Sequence, residues 1–289
     1  MADSILVTGA TGLIGRELMK ALSSQPGSWR VHTAGRPDLS GPDEALALIE
    51  RVQPAAVVHL AGGTHPDRHE LYASNVLTTV HLLDAVARVA RAGAPACCIV
   101  FGSAAEYGDT PASPIAEAAP LKPVSEYGRA KVAQTTLAEG IARKHGIPLT
   151  ILRPFNLVSP LLPVSAALGN MRRQLLSGEG EERTVTCGRL DLVRDYVPLA
   201  AVVEVTLHLL ANPAPGQVLN VCSGVGISLG SILEAMAKRL GVTLRIEQSP
   251  DLLAIPAAPR AVGDPERLFR ATGIRIAASA EEMAGILVG

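Results

Sequence analysis

The chain has 289 residues, with 26 basic and 27 acidic side chains for a net charge of -1, and 48% hydrophobic against 18% charged residues. That balance excludes electrostatic capture of nucleic acid, which needs a basic excess, and the absence of like-charge blocks excludes an acidic disordered tail. Only 3% of residues are aromatic, so Ala, Val, Leu and Ile carry the apolar weight of a core that the length and hydrophobic share amply supply.

Met1 to Ser4 lead straight into a strand at Ile5–Thr8, without the charged start and long apolar run of a secretion signal. A helix follows at Leu13–Ser23, a strand at Val31–Ala34, a helix at Asp43–Val52 and a strand at Ala56–Leu60. Next come a helix at about Ser74–Ala92, a strand at Cys97–Phe101, a helix at about Glu126–Lys144 and a strand at Leu149–Arg153. Repeated strand-helix-strand units predict an α/β fold, a doubly wound parallel sheet with helices on both faces and ligands at the carboxyl ends of its strands.

Beyond Pro154 the rhythm breaks into prolines and a Gly178–Glu182 stretch that predict loops and short elements. A helix near Ala200–Leu210, a strand at Val218–Val221 and a helix at Leu229–Leu240 follow, and the C-terminal third reads as a small substrate-covering lobe interleaved with the end of the main sheet. The division expected is therefore 1–155 for a dinucleotide-binding domain and 156–289 for a mixed region carrying that lobe. The apolar runs Ala55–Ala61 and Ala200–Ala211 are interrupted by His59, or by Glu204 and His208, and fall short of the roughly 18 residues of a membrane span. Cys97, Cys98, Cys187 and Cys222 show no CxxC spacing, so the expectation is reduced thiols in a cytoplasmic protein, with no metal site and no disulfide framework.

Thr8-Gly-Ala-Thr-Gly-Leu-Ile-Gly15 places glycines at 9, 12 and 15 between the first strand and the first helix. Such a turn lets the backbone approach a pyrophosphate, and the helix N-terminus beyond it supplies free N–H groups and partial positive charge. About twenty residues on, where the ribose is read, the sequence gives Ala34-Gly-Arg-Pro-Asp-Leu-Ser40. Arg36 would attract a 2′-phosphate through its planar fork, whereas Asp38 could act as the acid that selects NAD; NADP(H) is favoured and NAD(H) remains open.

Tyr127-Gly-Arg-Ala-Lys131 lies on a predicted helix, where residues four apart share a face. A phenol is a poor acid-base catalyst at neutral pH, but a neighbouring ammonium stabilises the phenolate and lowers its pKa. Ser103 follows the Cys97–Phe101 strand, in the strand-end crevice, where its hydroxyl could bond a substrate carbonyl oxygen; alone, it would read as a turn former or helix cap.

Taken together these residues resemble the extended short-chain dehydrogenase/reductase family, the nucleotide-sugar epimerases, dehydratases and reductases with a Rossmann-type sheet. The likeness is carried by residues 8–15, His59–Gly62, Asn75-Val-Leu-Thr78, Ser103–Gly108, Tyr127–Lys131, Arg153-Pro-Phe-Asn156 and Arg194-Asp-Tyr-Val197. Asn220–Gly224 and Gly263–Leu268 resemble the branch that reduces GDP-4-keto-6-deoxymannose. The resemblance implies Tyr127 as acid or base, Lys131 as the pKa-lowering group that also holds the nicotinamide ribose, and Ser103 as carbonyl partner. It implies cofactor contacts from Gly9, Thr11, Gly12, Leu13, Ile14, Gly15, Leu39, Leu60, Ala61, Gly62 and Asn75, besides Arg36 and Asp38. Ser103, Ala104, Asn156 and Arg194 would bind substrate, a nucleotide-diphosphate sugar, although Arg194 alone could equally form an ion pair with Asp191 or Asp195.

Two departures sharpen the expectation. Dehydratase relatives carry an acidic pair directly after the serine or threonine, and here Ala104 and Ala105 stand there, so elimination lacks its acid-base groups. The Leu157–Pro163 loop replaces a glycine-containing version, which leaves the sugar unspecified. The function expected is NADPH-dependent reduction of the 4-keto group of a GDP- or dTDP-linked 4-keto-6-deoxyhexose. The alternatives are a 4-epimerase with tightly held NAD and, more remotely, a non-catalytic dinucleotide-binding sensor. A homodimer through the helices around 74–92 and 126–144 is implied by the resemblance alone.

Overall fold

The alternation of β-branched runs with amphipathic periods becomes a layered α/β molecule in the computed structural model, which describes residues 3–24, 29–90, 96–110, 114–254 and 257–289. Its strands are β1 (Asp3–Thr8), β2 (Trp29–Ala34), β3 (Ala56–His59), β4 (Cys97–Phe101), β5 (Leu149–Pro154) and β6 (Asn156–Val158). Beyond these lie β7 (Glu182–Cys187), β8 (Val193–Pro198), β9 (Gln217–Val221), β10 (Gly226–Ser228), β11 (Thr243–Gln248) and β12 (Arg260–Ala261). The helices are α1 (Leu13–Ser23), α2 (Pro42–Val52), α3 (Arg68–Tyr72), α4 (Thr78–Ala90), α5 (Glu126–His145) and α6 (Ala167–Ser177). They continue with α7 (Leu199–Ala211), α8 (Leu229–Leu240), α9 (Pro250–Leu253), α10 (Glu266–Thr272) and α11 (Ala280–Val288).

The main sheet has the order β2-β1-β3-β4-β5-β9, and all of its pairings are parallel. Strand order reverses between β1 and β3, so the crevice at their carboxyl ends is the topological switch point, where ligands of this architecture sit. Alternate residues of each strand enter opposite cores. Ile5, Val7, Val58, Ile99, Phe101 and Leu152 pack with α1 and α7 on one face, whereas Leu6, Val57, Cys98, Val100 and Ile151 pack with α2, α4 and α5 on the other. A third core of Met171, Leu175, Val185, Ile232, Leu233, Met236, Met283 and Leu287 joins α6, β7, α8 and α11 in the C-terminal part.

Helix ends follow local chemistry. Ser125 caps α5 by accepting from Gly128 N–H at 3.0 Å, and Gly146 ends it in the left-handed conformation at φ 66°. Arg143, Lys144 and His145 occupy its last turn, where the helix dipole favours cations.

Two expectations need correction. The helix expected from Ser74 begins at Arg68, because Asp67 accepts from Glu70 N–H at 2.8 Å and caps α3. It then widens into a π-helical turn at Ala73–Leu77 before α4; its expected end at Ala92 lies outside the described residues. Past Pro154 the chain also holds more regular structure than the loops and short elements expected, with α6, β7, β8 and β11 each six residues or longer. β7 pairs with β11 in parallel, and β8 pairs with β6, β10 and β12, contacts between distant segments that no local pattern announces. Among the described residues, no helix is long and apolar enough to cross a membrane.

Candidate functional site

The chain leaves β1 through Gly9, whose φ of +68° suits glycine and where a Cβ would lie 2.6 Å from the Leu60 carbonyl carbon. Across the turn, a Cβ on Gly15 would fall 2.3 Å from the Gly9 carbonyl oxygen, so α1 can seat against the turn only without side chains. Gly12 begins α1 with no side-chain cap and no acidic residue in the first turn. Its orphan amides therefore face the switch point ready for an anion, and this bare cradle fits the pyrophosphate of a dinucleotide.

One cleft of about 290 Å³ runs from this cradle to the expected catalytic residues, joining Gly9, Gly12, Leu13, Ile14 and Gly15 to Ser103, Tyr127 and Lys131. A second hollow of about 360 Å³ continues past Thr11, Ala61 and Gly62 to Arg36 and His65. Leu60 borders the first. Leu39 does not join them: it is 1% exposed and packs in the core with α2 and α4. Asn75 is also buried, and its amide holds Gly63 in a two-way clasp, accepting from the Gly63 N–H at 3.1 Å and donating to its carbonyl at 2.9 Å. It shapes the rim from the π turn instead of lining the cleft.

Arg36 forms an exposed ion pair with Glu70 of α3. Asp38 accepts from Gly35 N–H at 2.8 Å, so its carboxylate is engaged in the local turn.

Ser103 lies two residues beyond β4 and caps a single 3-10 turn, Ala104–Glu106, closed by a reciprocal capping box. The Ser103 hydroxyl accepts from Ala105 N–H at 3.1 Å, while Glu106 accepts from Ser103 N–H at 2.8 Å. Glu106 is fully buried, paired with Arg153 at 2.9 Å and bonded by the Thr135 hydroxyl at 2.8 Å. Its part in the site is not announced by residue type alone, although the Ser-x-x-Glu spacing of a capping box marks it in the sequence. Gly128 lets α5 pack closely against the Ser103 turn, since a Cβ there would lie 2.5 Å from the Ala105 carbonyl oxygen.

Tyr127 and Lys131 share the cleft-facing side of α5, with the lysine Nζ 5.9 Å from the phenol ring centre. Lys131 is buried, donates to the Phe101 carbonyl at 2.9 Å and to Gln134 Oε1 at 2.8 Å, and burial pulls its pKa down to about 8 against the opposing charge of Glu106. Burial raises the Tyr127 pKa, opposed by a hydrogen bond with the Ser103 hydroxyl and reinforced by Glu106. This differs from the expectation that the ammonium lowers it. The physical reason is that Lys131 is turned toward the Phe101 carbonyl and Gln134 amide, and burial of the phenol outweighs its neighbours.

Asn156 lies outside this cleft, donating to the Asp195 carbonyl at 3.2 Å. Asp195 is itself held by the Ser223, Gly224 and Gly263 amides, and Asp191 by Arg189, so neither carboxylate pairs with Arg194. Arg194 donates to the Val193 carbonyl at 2.8 Å. Ala104 remains beside Ser103 with no ionisable group to offer.

Known proteins resemble the chain along most of its length. The chain is 26% identical to the GDP-6-deoxy-D-talose 4-dehydrogenase of Aggregatibacter actinomycetemcomitans, over 93% of this chain and 91% of the relative. It is 28% identical to the GDP-6-deoxy-D-mannose reductase of Pseudomonas aeruginosa, over 94% and 92%. The solved structure of RMD from Pseudomonas aeruginosa complexed with NADPH superposes with a TM-score of 0.85 at 26% identity, covering 99% of this chain and 98% of that one. With residues 5–222 matched by the sequence model of the NAD dependent epimerase/dehydratase family, and the glycine cradle, serine, tyrosine and lysine assembled in one cleft, the chain belongs to that family.

Proposed function

We propose that this protein reduces the 4-keto group of a nucleotide-linked 4-keto-6-deoxyhexose, with NADPH as reductant. The observation that carries the reading is the convergence of Ser103, Tyr127 and Lys131 on the cleft of the glycine cradle, with alanines at 104 and 105. NADPH bound along the cradle would supply the hydride. Ser103 would donate a hydrogen bond to the keto oxygen, and Tyr127, protonated at neutral pH as any phenol is, would deliver the proton to that oxygen. Lys131, still largely an ammonium at pH 7, would stabilise the phenolate left behind.

The engagement of Asp38 with Gly35, beside a hollow lined by Arg36 and His65, favours a 2′-phosphate over a bare ribose. The relative named as a GDP-sugar reductase and the neighbour solved with NADPH support the same choice. In this reading residues 1–155 bind the dinucleotide, and residues 156–289 cover the sugar and return β9 to the main sheet. A further hollow of about 320 Å³, lined by Asn170, Met171, Arg189 and Leu192, offers room for the nucleotide. Arg194, free of carboxylate partners among the described residues, would hold a phosphate of the substrate, with Asn156 beside it. A homodimer through α4 and α5 belongs to the same proposal.

The test is stoichiometric loss of NADPH absorbance on addition of GDP- and dTDP-4-keto-6-deoxyhexoses to purified protein. No consumption with any of them, together with tightly retained NAD, would replace this reading by a 4-epimerase.

A further inference from the structure

We propose that Gln134 is a positioning residue for the reaction, aiming the Lys131 ammonium through a chain of buried hydrogen bonds that starts at the phosphate-binding turn. The inference rests on the role given to Lys131 above. The chain links Thr8, His59, Thr79, Gln134 and Lys131, each of them buried.

The direction of every bond in it can be deduced. The Thr79 hydroxyl carries one proton and lies 2.7 Å from the Asn75 carbonyl, which only accepts, so that proton is spent there. The two other neighbours of the Thr79 oxygen, Gln134 Nε2 at 3.0 Å and His59 Nε2 at 2.8 Å, must both donate. His59 is therefore the Nε2–H tautomer, and its Nδ1 accepts from the Thr8 hydroxyl at 2.8 Å. Thr8 in turn accepts from Ala61 N–H at 3.2 Å, at the mouth of the cofactor hollow. A cationic His59 would set a second proton against the Thr8 hydroxyl, and burial holds its pKa down at about 3.

The same logic fixes the Gln134 amide. With Nε2 toward Thr79, Oε1 faces Lys131 at 2.8 Å. Of the three ammonium protons, one goes to the Phe101 carbonyl and one to Gln134, which leaves the third for the cleft. An apolar residue at 134 would strip the buried ammonium of an acceptor, and a carboxylate would add a countercharge. The charged or titratable groups around Lys131 are Glu106 on the turn after β4, Tyr127 on its own helix and neutral His59 on β3, with Arg153 of β5 engaging Glu106.

Two substitutions in the full chain separate positioning from mere core filling. NMR titration of isotope-labelled lysine, with the Lys131 signal assigned by Lys131→Met, reads the ammonium without substrate. Gln134→Leu is expected to lower the Lys131 midpoint by about one pH unit, the loss of a hydrogen bond to a charged group, and Gln134→Glu to raise it. The alkaline limb of kcat/KM for keto-sugar reduction should move in the same two directions. Should the leucine variant not fold, Gln134→Met carries the same expectation. Midpoints and limbs that stay in place in both variants, or move the same way in both, overturn the inference. Unchanged turnover in Tyr127→Phe would instead overturn the reading of the site and leave the lysine titration to be judged by itself.

Discussion

Arg153 and Glu106 form an ion pair inside the molecule, with both Nε and Nη2 of the arginine 2.9 Å from one carboxylate oxygen and the two side chains 6% and 0% exposed. The pair connects β5 to the turn that presents Ser103, because the other carboxylate oxygen accepts from the Ser103 amide. The Tyr107 hydroxyl extends it, accepting from Arg153 at 3.1 Å and donating to Asn220 of β9 at 2.6 Å. Removing one partner leaves a buried charge without its complement. Glu106→Ala is expected to lose about 3–5 kcal/mol of stability in denaturant titration. The double variant with Arg153→Met should recover part of that loss, and strict additivity of the two changes would show that the pair is not coupled.

Tyr127→Phe removes only the hydroxyl that the proposed reaction uses as its proton donor. Its turnover is expected to fall by about 10²–10⁴-fold, while NADPH affinity stays within about twofold, as read by fluorescence titration of the cofactor. A parallel loss of cofactor binding would mean that the hydroxyl serves the cradle and not the chemistry.

Arg36 and Glu70 form an exposed pair at the edge of the cofactor hollow, so the guanidinium already has a partner that a 2′-phosphate must displace. Arg36→Ala is expected to raise KM for NADPH about tenfold and leave that for NADH unchanged. Glu70→Gln should lower KM for NADPH by releasing the arginine. Steady-state kinetics with both cofactors decide it, and equal effects on NADPH and NADH would remove Arg36 from cofactor selection.

His59 supplies a pH test of folding. Its pKa sits at about 3 in the folded state and near 6.5 when unfolded, so between those values the unfolded chain binds a proton that the native one refuses. Stability from this site is complete above pH 6.5 and falls by about 1.4 kcal/mol per unit as pH drops toward 3. Urea unfolding at pH 7 and pH 5 should show a shallower loss in His59→Gln than in the unaltered chain. Equal losses would place the histidine's titration elsewhere.

Much of the site was legible because its signals are local. The glycine turn, the Tyr127-x-x-x-Lys131 spacing and Ser103 after a strand each occupy a few consecutive residues whose geometry follows from helix and strand periodicity. Glu106 and Gln134 were not legible in the same way. Their partners Arg153 and Thr79 are 47 and 55 residues away, and only the sheet and the packing of α5 on α4 bring them within bonding distance. Leu39 and Asn75 show the reverse case: sequence position put them beside the cofactor, but burial turned one into the core and the other against Gly63.

Short-range sterics and periodic burial suffice for the doubly wound sheet, the phosphate cradle and the Tyr127-x-x-x-Lys131 pair, which is why local residue patterns announce them. How those groups titrate and where they point came from packing between distant segments. Burial raises the Tyr127 pKa, His59 is confined to one tautomer by Thr8 and Thr79, and Lys131 is turned by Gln134 and the Phe101 carbonyl. Desolvation and hydrogen-bond direction depend on what surrounds an atom in space, and those surroundings come from strands and helices far apart along the chain.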